Sequence, residues 1–184
     1  MVIGCGGSLT AQTAVDYAPL ADRLAEYGKL TMNWDIDGLL DLTAPELFEV
    51  VPRATLRQQM SGLLSDEDMR VTFHDFAADR IGEAVAYRGT TYAPVSCHFG
   101  LTFELLSERY RDPKFSGRMV RMLEKTYGRV AFDAARHRIE VYVPKELFAI
   151  QPAADAPWYF VEYRSDNAAL MDLIIPAAVR EQFR

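Results

Sequence analysis

Asp75 is the residue of this chain best placed for proton transfer. In Met69-Arg-Val-Thr-Phe-His-Asp75 the apolar side chains Met69, Val71 and Phe73 alternate with Arg70, Thr72 and His74. Asp75 has the parity of the apolar set, so an unbroken pleat aims it at the dry side of a sheet. A carboxylate partly withdrawn from water has a raised pKa, as a general acid or base requires. The competing reading is a turn over Asp75-Phe-Ala-Ala-Asp79, where Asp is favoured for local hydrogen bonding; this is the commoner case. Tyr87 shares parity with Glu83 and Val85 and could orient a ligand in the same pocket, although a buried Tyr hydroxyl more often just needs a partner. Trp34, Phe99 and Phe103 supply apolar wall.

Other chemistries find less support. Val95, Cys97, Phe99, Leu101 and Phe103 alternate with Ser96, His98, Gly100, Thr102 and Glu104, so His98 and His74 are expected on the polar face, and His137 in a solvated turn. Cys97 and His98 are adjacent on a strand and face opposite ways, which excludes a Cys/His dyad. Cys97 reads as a small buried hydrophobe, and no Cys/His pairs have zinc-ligand spacing. Asp35, Asp37 and Asp41 match the start of a calcium loop, with Glu46 at the twelfth position. Position six is Leu40 rather than Gly, and Pro45 interrupts the loop, so helix N-capping is preferred and no metal is expected. The only Gly-rich stretch, Gly4-Cys-Gly-Gly7, precedes every strand and cannot cradle phosphate, so no cofactor is implied.

The elements that must position these residues follow from their periods. Tyr17, Leu20, Leu24, Tyr27, Thr31 and Trp34 recur at helical steps, predicting a helix over 16–33 with Asp16 as N-cap. Short helices follow at 35–42 and 44–48, and a longer one at 53–64. Strands are expected at 69–73, 83–88, 95–103, 130–133, 138–148 and 158–163. A helix over 112–127 interrupts them, with Asp112 as N-cap, Pro113 as first residue and Gly128 as stop. Short helices near 167–173 and 176–183 close the chain. Helices first and antiparallel strands afterwards define an α+β domain: N-terminal helices packed on one face of a curved antiparallel sheet.

The 184 residues suit one domain over 14–184. The net charge of −6 argues against nucleic acid, which needs clustered cations. Arg109, Arg111, Lys114, Arg118 and Arg121 do gather, but Glu108, Asp112 and Glu124 interleave them, so a solvated helix face is expected. No apolar run is long enough for a transmembrane segment. Residues 1–13 read as a flexible tail or a signal-peptide remnant. Met1-Val-Ile-Gly-Cys5 resembles the end of a lipoprotein signal with Cys5 as the lipidated residue, and Leu9-Thr-Ala-Gln12 resembles a cleavage site. Export to the periplasm or a lipid-anchored envelope location is therefore expected, with a cytoplasmic location as the alternative.

This order of elements resembles the nuclear transport factor 2-like superfamily, the cone or cystatin-like α+β fold. The local matches are Met32-Asn-Trp-Asp35-Ile-Asp37-Gly-Leu-Leu-Asp41, Pro45-Glu-Leu-Phe48 and the strand Trp158-Tyr-Phe-Val-Glu-Tyr163. The resemblance implies a pocket between helices and the concave sheet face. It also implies that the polar face, carrying Thr72, His74, Ser96, His98, Thr102 and Tyr142, is a homodimer surface. The expected function is non-catalytic binding of a small apolar ligand or a protein partner. The alternatives are an isomerase, dehydratase or cyclase with Asp75 as base, and an envelope-attached accessory lipoprotein.

Overall fold

A computed structural model describes residues 15–62, 64, 66–163 and 168–183; Cys5 and the expected tail lie outside them. The chain is an α+β fold whose N-terminal helices precede an open antiparallel six-stranded sheet. Helix α1, Ala18–Asn33, carries Pro19 in its first turn and buries Leu20, Leu24, Gly28 and Thr31 along one stripe. Its N-cap is Tyr17 rather than Asp16, which sits one residue earlier and accepts from the Ala18 N–H at 3.0 Å. Trp34 ends the helix in the left-handed region, with φ 49°. Three shorter helices follow: α2 (Ile36–Asp41), α3 (Pro45–Val50) and α4 (Arg53–Gly62). Asp35 caps α2 by accepting from the Gly38 N–H at 3.0 Å, while Asp37 pairs with Arg57 and Asp41 with Arg53. Asp37 and Asp41 thus join α2 to α4, while Asp35 serves α2 alone.

The strands are β1 (Met69–Ile81), β2 (Val85–Tyr87), β3 (Thr90–Leu105), β4 (Arg129–Asp133), β5 (Arg138–Gln151) and β6 (Tyr159–Glu162). Their order is β1-β3-β5-β4, with β2 paired to β3 and β6 to β5. Between β3 and β4 lie α5, Glu108–Arg111, and α6, Pro113–Tyr127. Asp112 caps α6 through the Lys114 and Phe115 N–H groups, and Gly128 stops it at φ 81°. The helices α7 (Ala168–Ile174) and α8 (Ala177–Arg180) follow the sheet.

Strand parity sets the core. Cys97, Phe99 and Leu101 of β3 face Lys145, Val143 and Val141 of β5. Leu20, Leu24, Val95, Leu147, Trp158 and Phe160 pack one part of this face under α1 and α2. Leu101, Val141 and Ile139 pack another part with Leu123 and Met119 of α6. The opposite face is not uniformly wet: Tyr92, Phe148, Ile150 and Val161 are buried there against Met171, Ile174 and Val179 of the C-terminal helices.

One strand departs from expectation. β1 runs straight through the segment read as a turn at 75–79. Its register with β3 shifts between His74 and Ala77 and again between Ala78 and Arg80. These bulges absorb the extra residues and let pairing resume at Ala77 opposite His98. At the first bulge Asp75 takes φ 56°. Phe76 turns inward against α1, where only glycine fits: a Cβ on Gly28 would lie 2.3 Å from the Phe76 ring.

Candidate functional site

Between the helices and the sheet lies a cavity of about 290 Å³. Trp34, Leu39, Leu40, Leu47, Leu56 and Met60 line it from the helical side, and Phe99, Leu147, Phe160 and Val161 from the sheet. The segment after α2 fixes this wall. Leu42 accepts from the Phe160 N–H at 2.7 Å, and Ala44 donates to the Phe160 carbonyl at 3.0 Å. The backbone groups of β6 on that side are thereby satisfied by the loop. Trp34 is held by stacking on Phe73, with ring centroids 4.5 Å apart. Its indole Nε1 is buried and has no hydrogen-bond partner.

The polar part of the lining is one ion pair with the hydroxyl residues Tyr27, Thr31 and Thr43. Lys145 occupies an inward position of β5, opposite Cys97, where the strand otherwise places Ile139, Val141, Val143 and Leu147. Its ammonium donates to Glu162 at 2.6 Å, and their side chains are 22% and 46% exposed. Burial opposes the charge on Lys145, but the Tyr27 and Glu162 oxygens outweigh it, so its pKa lies above the ordinary lysine value. Burial raises the Tyr27 phenol, which therefore stays protonated at neutral pH. Burial also pushes the Cys97 thiol up to about 12. An ammonium held protonated and a thiol held neutral are poor nucleophiles, because attack requires the free amine or the thiolate. Lys145 can serve instead as a fixed positive hydrogen-bond donor.

A second concavity, about 660 Å³, opens on the other sheet face beside His74, His98, Arg129, Glu140 and Tyr142. His74 bridges Asp75 and Thr102: Nδ1 lies 2.7 Å from Asp75 Oδ2 and Nε2 lies 3.0 Å from Thr102 Oγ1. His98 Nδ1 lies 2.7 Å from Asp79 Oδ1. Carboxylate, imidazole and hydroxyl in series have the order of a nucleophilic triad. Thr102, however, is only 2% exposed, so its hydroxyl is closed to a substrate. The His74 ring instead lies across the strand at Gly100, where an added Cβ would come within 2.1 Å of it. Among the described residues no cluster of three or more His, Cys, Asp or Glu could hold a metal ion.

The sequence-predicted residues are divided by the structure. Trp34 and Phe99 line the helix–sheet cavity together. Phe103 does not; it packs with the cluster under α6. Tyr87 lies on the opposite face, packed beside Phe148 and Tyr92, so it cannot share a pocket with Trp34. The expected inward direction of Asp75 is corrected: the bulge breaks the pleat, and its side chain is 85% exposed. His74 and His98 are on the polar face but are half-buried in hydrogen bonds rather than freely solvated. Sequence reasoning missed Lys145, Glu162 and Tyr27. One signal was available, since Lys145 is the single charge among the inward-facing positions 139, 141, 143, 145, 147 and 149 of its strand.

In comparison with known proteins, no family model matches the chain and no curated protein sequence matches it.

Proposed function

We propose that this protein is a binding module that takes a small, mainly apolar molecule into the cavity between its helices and sheet. The observation that carries this reading is the cavity lining: mainly apolar residues around one ion pair and the hydroxyl groups of Tyr27, Thr31 and Thr43. At about 30 Å³ per water-sized unit, 290 Å³ holds a molecule of roughly ten heavy atoms. Such a site draws its affinity from apolar contact and its orientation from a few polar groups. Lys145 provides charged N–H donors for an acceptor on the ligand. The order of elements and the place of the cavity support membership of the nuclear transport factor 2-like superfamily.

Glu162 gives the enzymatic alternative a specific carboxylate, because it borders the cavity as Asp75 does not. Isomerase or dehydratase chemistry would need it as a base, whereas it is engaged by the Lys145 ammonium. One experiment covers both readings. A panel of cyclic and short-chain ketones, alcohols and carboxylic acids is titrated while thermal stability and Trp fluorescence are followed, and each compound is then recovered for analysis. Binding expects a rise in Tm that Leu56→Trp, which fills the cavity, abolishes, with the compound returned unchanged. Equal binding by the filled variant sinks the cavity assignment; a converted compound moves the protein to the enzymes.

A further inference from the structure

The outer face of α6 carries a cationic stripe that the linear sequence conceals. Lys114, Arg118, Arg121 and Lys125 are spaced by four, three and four residues, so they line one side of the helix. That side is opposite the buried Leu123, and all four are exposed. Among the described residues none of the four forms an ion pair. The acids near them in sequence do not sit within the row. Asp112 is spent as the N-cap, and Glu124, three residues from Arg121, borders one edge of the stripe about 90° from its centre without pairing with any of the four. On the other shoulder lie Phe115 and Met122, seven residues apart. Met122 is 60% exposed, and the Arg109 and Arg118 guanidinium groups both sit 5.9 Å from the centre of the Phe115 ring.

We infer that this face of α6 docks on an anionic lipid surface. A row of cations about 16 Å long, with an apolar shoulder beside it, is the pattern of a helix lying in the headgroup plane: cations meet lipid phosphates and carboxylates while the apolar edge enters the acyl boundary. Charge complementarity sets the sign of the partner. The remainder of the chain is more acidic than the net −6, so this helix is the favoured side for approach to a negative surface. Duplex nucleic acid fits less well, because the body behind the helix is acidic and the exposed Met122 has no role on a phosphate backbone.

The test is co-sedimentation of the full chain with vesicles of phosphatidylcholine alone and of phosphatidylcholine mixed with phosphatidylserine. Cys5→Ser is carried in every sample so that no acyl chain contributes. The expected result is binding to the serine-containing vesicles only, weakening as salt rises. The Lys114→Gln/Arg118→Gln/Arg121→Gln/Lys125→Gln variant should lose affinity by about tenfold or more, since each cation near the surface contributes independently. Met122→Ser should weaken binding by a smaller factor without changing the salt dependence. If circular dichroism shows the quadruple variant unfolded, Arg121→Gln/Lys125→Gln supplies the same comparison. Equal sedimentation with both vesicles, or unchanged binding by a folded variant, overturns the inference. So does stripe-dependent binding to duplex DNA without binding to vesicles.

Discussion

Removing Glu162 should cost more than removing Lys145, although the two are partners in one ion pair. Breaking a fully buried pair costs about 3–5 kcal/mol, most of it from the charge left unpaired. Here the two survivors are unequal. Without Lys145, the Glu162 carboxylate is already 46% exposed and can hydrate by a small rotation. Without Glu162, the Lys145 ammonium is 22% exposed and faces Phe99, Leu147 and Tyr27. Discounted for that exposure, Glu162→Leu should destabilise by about 2 kcal/mol and Lys145→Met by about 1 kcal/mol or less. The double variant should return to within about 1 kcal/mol of the parent, because two apolar side chains replace two charges in an apolar lining. Urea unfolding followed by circular dichroism, with all variants sharing one m-value, measures the three differences. The reasoning is refuted if Lys145→Met costs as much as Glu162→Leu, or if the double variant costs the sum of the singles. Either result would mean that the pair acts through packing and not through desolvated charge.

Three further outcomes are expected. Lys145 and Tyr27 both have pKa values raised by folding, so the stability they contribute is fully present below about pH 10, their ordinary range, and declines above it; Lys145→Met and Tyr27→Phe should each flatten the fall in urea midpoint between neutral and strongly alkaline pH. Cys97, buried with a thiol at about 12, should react with a thiol reagent at pH 8 only at the rate of unfolding, whereas urea makes it react at once; fast native-state labelling in a Cys5→Ser background would contradict this. Gly100→Ala should cost about 1–3 kcal/mol by overpacking against the His74 ring, and it should displace the His74 imidazole from Thr102, read as a shift in its ring-proton resonances.

Much of this architecture is written locally. The Asp112 cap, Pro113 and the Gly128 stop bracket α6 because orphan N–H groups, a fixed φ and a positive φ are properties of the residues themselves. The alternation from Val95 to Phe103 defines the two faces of β3 for the same reason, and with them the α+β class. Trp34 and Phe99, named as apolar wall, both line the cavity, although the periods alone indicate no pocket.

What the tertiary structure decided depends on register and on distant partners. Parity directs Asp75 inward only if β1 is unbroken, and whether a strand bulges is set by how β3 and α1 accommodate it: Phe76 against Gly28, and His74 across Gly100. Lys145 and Glu162 are seventeen residues apart on separate strands, and the pairing of β5 with β6 alone brings them within 2.6 Å. Tyr87 lies on the opposite face because β2 pairs with β3 in a register that sets Val85 against Tyr92 and Tyr87 against Thr90, a pairing no strand period encodes. Caps and periods are short-range energies carried by the residues, whereas bulges, cross-strand ion pairs and covered faces exist only once a particular packing has been chosen.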